Sequence, residues 1–167
     1  MKRLYLLRHA KSSWDDPTLG DRDRPLAPRG KRASEKMAKH LKSEGIRPAL
    51  VLCSSAQRTR QTLKRITPAL GKPHIEVEDD LYAASAGELL ARLRKVPDTV
   101  PSVLLIGHNP GLQDLALTLA RDGPDRARLE EKFPTGALAV LSVRRLTWSG
   151  LQPGDAELLA CIAPRDL

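Results

Sequence analysis

Three runs of this chain, Arg3 to Leu7, Leu50 to Cys53 and Val103 to Ile106, are almost unbroken by polar residues. Runs that short and that apolar read as β-strands covered on both faces, the environment of a parallel sheet held between helical layers. Two more runs, Leu138 to Val143 and Leu158 to Ile162, extend the set to five expected strands. Helical spacing fills the gaps. After Pro28, Ala33, Met37 and Leu41 recur every four residues until Gly45 and Pro48 intervene, and Thr59, Leu63, Ile66 and Leu70 repeat up to Gly71. Leu89, Leu90 and Leu93 follow Gly87 and stop before Pro97, and Leu112, Leu115, Ala116 and Leu119 follow Asn109-Pro110. The alternation predicts an α/β fold, a three-layer α/β/α sandwich with a mostly parallel central sheet, in one domain over residues 1–167. Arg121 to Thr135 is polar and charged, and reads as an excursion or loop.

Aromatic residues make up only 3% of the chain against 41% hydrophobic residues, so the core must come from Leu, Ala, Val and Ile. Near the N-terminus the apolar run Leu4 to Leu7 is too short for the core of a signal peptide, and no window approaches the ~18 apolar residues that cross a bilayer. A soluble, unexported, cytoplasmic protein without a membrane partner is the expectation. Cys53 and Cys161 sit in expected strands and read as buried thiols, and they lack the spacing of a metal site. The formal charge of +8 attracts anions of any kind. Nucleic acid is disfavoured among them, because no basic stretch is interleaved with aromatics. Lys31, Arg32, Lys36, Lys39 and Lys42 fall at helical spacing, either as a solvated face or as the electropositive rim of a site. His40, in the basic helix, and His74, in an expected loop after Pro73, read as structural or surface residues.

The chemistry-bearing residues follow the first three strands. The first strand runs into Arg8-His9-Ala10-Lys11-Ser12, the second into Ser54-Ser55-Ala56-Gln57-Arg58, and the third into Gly107-His108-Asn109-Pro110. Ligands of open α/β sheets bind beyond the carboxyl ends of the strands, so Arg8, His9, Arg58 and His108 could converge on one pocket. Two arginines and two histidines suit phosphoryl transfer. The group in flight spreads negative charge over three oxygens, arginine offers a fork of permanently charged donors, and neutral histidine offers a nitrogen nucleophile. Asn109 as N-cap and Pro110 as first helical residue would add the amides and positive dipole end of a helix.

Taken together these segments resemble the histidine phosphatase superfamily, the phosphoglycerate mutase-like proteins, and within it the SixA-like phosphohistidine phosphatases. Arg8 to Asp15 resembles the Arg-His-Gly signature and its continuation, and Arg24-Pro25-Leu26 with Arg29-Gly30 is similar to the opening of the first family helix. Ser54 to Thr62 resembles the Ser-Pro-x-x-Arg-x-x-Gln-Thr motif, and Gly107 to Pro110 the second-histidine motif. The resemblance implies a phosphatase in which His9 attacks phosphorus and is itself phosphorylated while Arg8, Arg58 and His108 hold the transferred group. It implies no metal and no cofactor.

The chain also departs from the pattern. Ala10 stands for the glycine, Ser55 for the proline, and Asp15 for an asparagine; Ala27 replaces a Ser or Thr cap before Pro28, which should weaken that helix start by ~1 kcal/mol. Asp15, Ser12 and Asn109 are expected at the pocket edge, as positioning groups or proton donors. Where relatives place a carboxylic general acid the chain reads Leu81-Tyr82-Ala83-Ala84-Ser85, with Asp79 and Asp80 nearby. An alkoxide leaving group needs such an acid, whereas phosphohistidine leaves through a nitrogen that can carry a proton beforehand. The chain has no large insertion to cap its pocket. Phosphohistidine on a protein is therefore the expected substrate. The alternatives are a phosphomonoesterase acting on a small phosphorylated metabolite, with Asp15, Asp79, Asp80 or His108 as proton donor, and a non-catalytic phosphate or phosphoprotein binder.

Overall fold

The computed structural model describes all residues, Met1 to Leu167. Its elements are β1 (Lys2–Arg8), α1 (Pro28–Ser43), β2 (Leu50–Ser54), α2 (Gln57–Ile66), β3 (His74–Glu78), α3 (Ala86–Leu93), β4 (Ser102–Gly107), α4 (Gly111–Leu119), α5 (Arg126–Glu131), β5 (Leu138–Val143) and β6 (Ala156–Ile162). The six strands form one sheet in the order β3-β2-β4-β1-β5-β6. Pairing is parallel from β3 through β1 and antiparallel for β1 with β5 and β5 with β6. The mixed sheet carries helices on both faces, as the alternation predicts.

The unbroken apolar runs have a direct structural cause. Successive side chains of a strand point to opposite faces, so a strand buried on both needs apolar residues at every position. Leu7, Val51, Cys53, Leu104 and Ile106 pack with Met37 and Leu41 of α1 and Leu63 and Ile66 of α2. Leu4, Leu6, Leu50, Leu52, Val103 and Leu105 turn the other way, into a larger core with Leu90, Leu93, Leu112, Leu115 and Leu119. Both cysteines are buried and unpaired, as expected, and burial pushes the Cys53 thiol up to about 12.

Three local expectations change. His74 opens a sixth strand rather than a loop: β3 is an edge strand whose apolar Ile75 and Val77 are 37% and 48% exposed, too solvated to give a core signature. Arg121 to Thr135 is not an irregular excursion throughout. It contains α5, which buries Leu129 and leads to a fully buried Phe133. Helix α4 begins at Gly111 rather than Pro110, although Asn109 still caps it from outside, its Oδ1 accepting from the Gln113 amide at 3.2 Å. Helix α1 starts at Pro28 after Ala27 with no side-chain cap, as expected. Its Lys31, Arg32, Lys36, Lys39 and Lys42 are exposed, a solvated face.

Two glycines set how closely helices approach the loops they support. A Cβ on Gly30 would lie 2.1 Å from the Lys11 carbonyl oxygen, and one on Gly111 would lie 2.1 Å from that of Ala84. Gly30→Ala should therefore force the loop after β1 away from α1 and destabilise the fold by about 2 kcal/mol in denaturant unfolding. Gly123→Ala, whose Cβ would meet nothing within 4 Å, should change stability by less than about 0.5 kcal/mol.

Candidate active site

Parallel pairing of β1 with β4 sets Arg8 opposite Gly107, and the His9 amide donates to the Gly107 carbonyl at 3.0 Å. The residues that follow these strand ends are His9 and His108, and their rings lie 5.3 Å apart, centroid to centroid. Strand β2 lies on the other side of β4 and ends at Ser54, whose Oγ is 2.8 Å from His108 Nε2. Arg58, in the first turn of α2, extends its Nη2 to 3.5 Å from His108 Nδ1. Desolvation by burial and the nearby charge of Arg58 both lower the Arg8 guanidinium from its ordinary value. His9, Arg58 and His108 are buried, and Arg8 is half-buried. The four residues singled out from the sequence therefore come together.

Hydrogen bonding fixes the state of His9. Its Nδ1 is 2.7 Å from the Ala10 carbonyl oxygen, which can only accept, so Nδ1 carries the proton and the Nε2 lone pair has no protein partner. Burial, opposed by that hydrogen bond and reinforced by the charges of His108, Arg58 and Arg8, pushes the His9 imidazole down to about 3. Burial and then Arg58 push His108 down to about 4. Both rings are neutral at pH 7. Because Arg58 can only donate, neutral His108 accepts at Nδ1 and donates from Nε2 to Ser54 Oγ.

Positioning is done largely by α2. Arg58, Gln61 and Thr62 share one helical face at i, i+3 and i+4. Gln61 Oε1 accepts from the Leu26 amide at 2.7 Å, and Thr62 Oγ1 accepts from the Ala10 amide at 3.1 Å while donating to the Arg58 carbonyl. One helix face thus places Arg58 and anchors the loop that carries His9. On the other flank, the Phe133 carbonyl accepts from Arg8 Nη1 at 3.1 Å and from Asn109 Nδ2 at 3.0 Å.

Asp21 and Tyr82 are members of the site that the sequence does not announce. The Asp21 carboxylate accepts from Arg58 Nη2 at 3.0 Å, from Arg24 Nη1 at 2.9 Å and from the Tyr82 hydroxyl. The Tyr82 ring meets His108 edge-on at 5.5 Å. The Tyr82 hydrogen bond, with help from Arg58 and Arg24, holds the Asp21 carboxyl down at about 2. Asp21 lies 37 residues from Arg58 in a polar stretch without periodicity, so no local pattern marks it.

The expected edge residues divide. Ser12 is buried and accepts from Arg24, whose guanidinium stacks 3.3 Å over the Trp14 ring. Asp15 is exposed and its carboxylate has no partner. Asn109 is spent on Gln113 and Phe133. Asp79 is paired with Arg22 in solvent. The helix α4 terminus departs from the expected open anion site: the Leu112 amide is taken by the His108 carbonyl and the Gln113 amide by Asn109. No group of three or more His, Cys, Asp or Glu residues is placed to hold a metal ion.

Comparison with known proteins decides the family. The histidine phosphatase superfamily (branch 1) profile matches residues 4–104. This chain belongs to the histidine phosphatase superfamily. An uncharacterized protein of Mycobacterium tuberculosis is 39% identical over 163 residues, covering 95% of this chain and all of that protein. SixA from Nakamurella multipartitia superposes with a TM-score of 0.87 at 31% identity, over 98% of this chain and 96% of the other. The protein histidine phosphatase SixA complexed with tungstate superposes with a TM-score of 0.80 at 27% identity, over 98% of each chain. No helix is long and apolar enough to cross a membrane.

The two neutral histidines make stability depend on pH. Their folded-state values lie below the ordinary 6.5, so the unfolded chain binds protons first as pH falls. The contribution is whole above pH 6.5 and is lost as pH drops from there, towards about 4 for His108 and about 3 for His9. At pH 5 the loss should be about 2 kcal/mol per histidine relative to pH 7. Urea unfolding at the two pH values should show it, and His9→Asn/His108→Asn should have a correspondingly flatter profile.

Proposed function

We propose that this protein removes phosphoryl groups from phosphohistidine on proteins, through a covalent intermediate on His9. His9 Nε2, held neutral with its lone pair free, attacks phosphorus. The bond from phosphorus to the substrate imidazole breaks, and that nitrogen leaves as a neutral imidazole already carrying its proton at the other position or receiving one before cleavage. Water then attacks the phosphorylated His9, releasing phosphate and restoring the imidazole. Arg8, Arg58 and His108 donate to the three equatorial oxygens, neutral His108 through the Nε2–H that otherwise goes to Ser54 Oγ.

The observation that carries the choice of substrate is the state of Asp21. It is the carboxylate bonded into the Arg58 and Tyr82 cluster, and its donors keep it ionised far below neutral pH. A group so acidic does not hold a proton to give to an alkoxide. Asp15 and Asp79 stand in solvent. A substrate whose leaving nitrogen brings its own proton fits this site better than a phosphomonoester does.

Turnover of a phosphohistidine peptide should exceed that of a matched phosphoserine peptide or a sugar phosphate by ~10² or more in kcat/KM, the range that a missing general acid costs. A preference for sugar phosphates would overturn the substrate assignment. Arg58→Ala should lower kcat on the phosphohistidine peptide by ~10² to 10³, as loss of a donor to the transferred group does, measured by phosphate release under saturating substrate.

A further inference from the structure

Arg8 also lines a second cleft, of about 430 Å³, with Lys11, Arg29, Lys132, Thr135 and Arg165. Half of its ten lining residues are cationic, none is acidic and none is aromatic. The cations come from separate segments: the loop after β1, the first turn of α1, the residue after α5, and the C-terminal 3₁₀ turn Pro164–Asp166. Unlike Arg22, Arg24, Arg58, Arg65, Arg92, Arg126, Arg128 and Arg145, the side chains of Lys11, Arg29, Lys132 and Arg165 make no ion pair. Of the two acidic residues adjacent in sequence to these cations, Asp166 is committed to Arg128, and Glu131, beside Lys132, is exposed, makes no ion pair and does not line the cleft. Arg8 itself has an Nε that is buried with no acceptor.

Bringing like charges together with no acidic residue in the lining is unfavourable, and the fold nonetheless fixes the segments that carry them. Gly30 seats the start of α1 against Lys11, and a Cβ on Gly136 would lie 2.8 Å from the Pro164 ring, so the C-terminal turn is packed tightly as well. An anion entering the cleft would relieve the repulsion. The volume suits several small anionic groups, and the absence of aromatic surface argues against a nucleobase or sugar ring as occupant.

We propose that this cleft docks the carboxylate side chains that flank the phosphorylated residue of a protein substrate. The enzyme then selects phosphohistidines in acidic surroundings, with Arg8 shared between the docked carboxylates and the transferred phosphoryl group. The selection rests on the protein-substrate reading above, whereas binding in the cleft can be measured without turnover.

Two measurements test it. In the first, fluorescence anisotropy follows a labelled, unphosphorylated Glu-rich peptide at low salt. Arg29→Ala/Lys132→Ala/Arg165→Ala should weaken its binding about tenfold, the sum of several partly exposed ion pairs. Lys36→Ala/Lys39→Ala/Lys42→Ala, which removes the same charge from the solvated face of α1, should leave binding within about twofold. Equal weakening by both variants, or none by either, overturns the site. In the second, phosphohistidine peptides with Glu or Ala flanks are compared. Wild type should favour the Glu-flanked peptide about tenfold in kcat/KM, mostly through KM, and the cleft variant should lose that preference while hydrolysing phosphoramidate as wild type does. Equal turnover of the two peptides by wild type, or a preference that survives in the variant, overturns the docking role. If wild type hydrolyses phosphoramidate but neither peptide, the protein-substrate reading and the docking role fall together, and the anisotropy still decides whether the cleft binds acidic chains.

Discussion

The parallel ladder between β1 and β4 is the constraint on which the site depends. It ends at the Arg8–Gly107 pair and the His9 amide bond to Gly107, and the two residues that leave the ladder are the two histidines. Their separation is therefore set by strand register rather than by flexible loops. Because β4 lies between β1 and β2, the same ladder system puts Ser54 against His108 and starts α2 where Arg58 reaches it. The apolar faces of these three strands are buried in both cores, so a slip in register would cost packing on both sides of the sheet as well as the site.

Within that frame the site joins cations to neutral rings. The guanidinium groups of Arg8 and Arg58 supply the cations, while burial keeps His9 and His108 neutral. The single hydrogen bond from His9 Nδ1 to Ala10 then selects the tautomer with a free Nε2 lone pair. Asp21 offsets part of the positive charge and orients Arg58. The result is a site with cationic donors, an imidazole nitrogen whose lone pair is free, and a carboxylate that stays ionised.

Much of this was legible in the sequence because it rests on short-range patterns. Unbroken apolar runs exposed β1, β2 and β4, and the polar residues just beyond them exposed Arg8, His9, Arg58 and His108. The spacing of Arg58, Gln61 and Thr62 was visible as well, although its reason, one helix face holding Arg58 and the His9 loop together, lies in contacts between segments distant in sequence. What the pattern concealed was long-range or exposed. Edge strand β3 is too solvated to look like core; Phe133 acts through a backbone carbonyl; Asp21 and Tyr82 meet across 61 residues of chain. Of the amides expected free at the start of α4, those of Leu112 and Gln113 are taken up locally by the His108 carbonyl and Asn109.

The proposed transfer depends on a nitrogen nucleophile at one defined atom. Protein treated with phosphoramidate, quenched in base and digested, can be read by mass spectrometry for the modified residue and by phosphorus NMR for the nitrogen that bears the phosphoryl group. The prediction is a base-stable, acid-labile phosphoryl group on His9 Nε2, absent from His9→Ala. A phosphoryl group on His108, on Nδ1 of His9, or on no residue while turnover proceeds would contradict it.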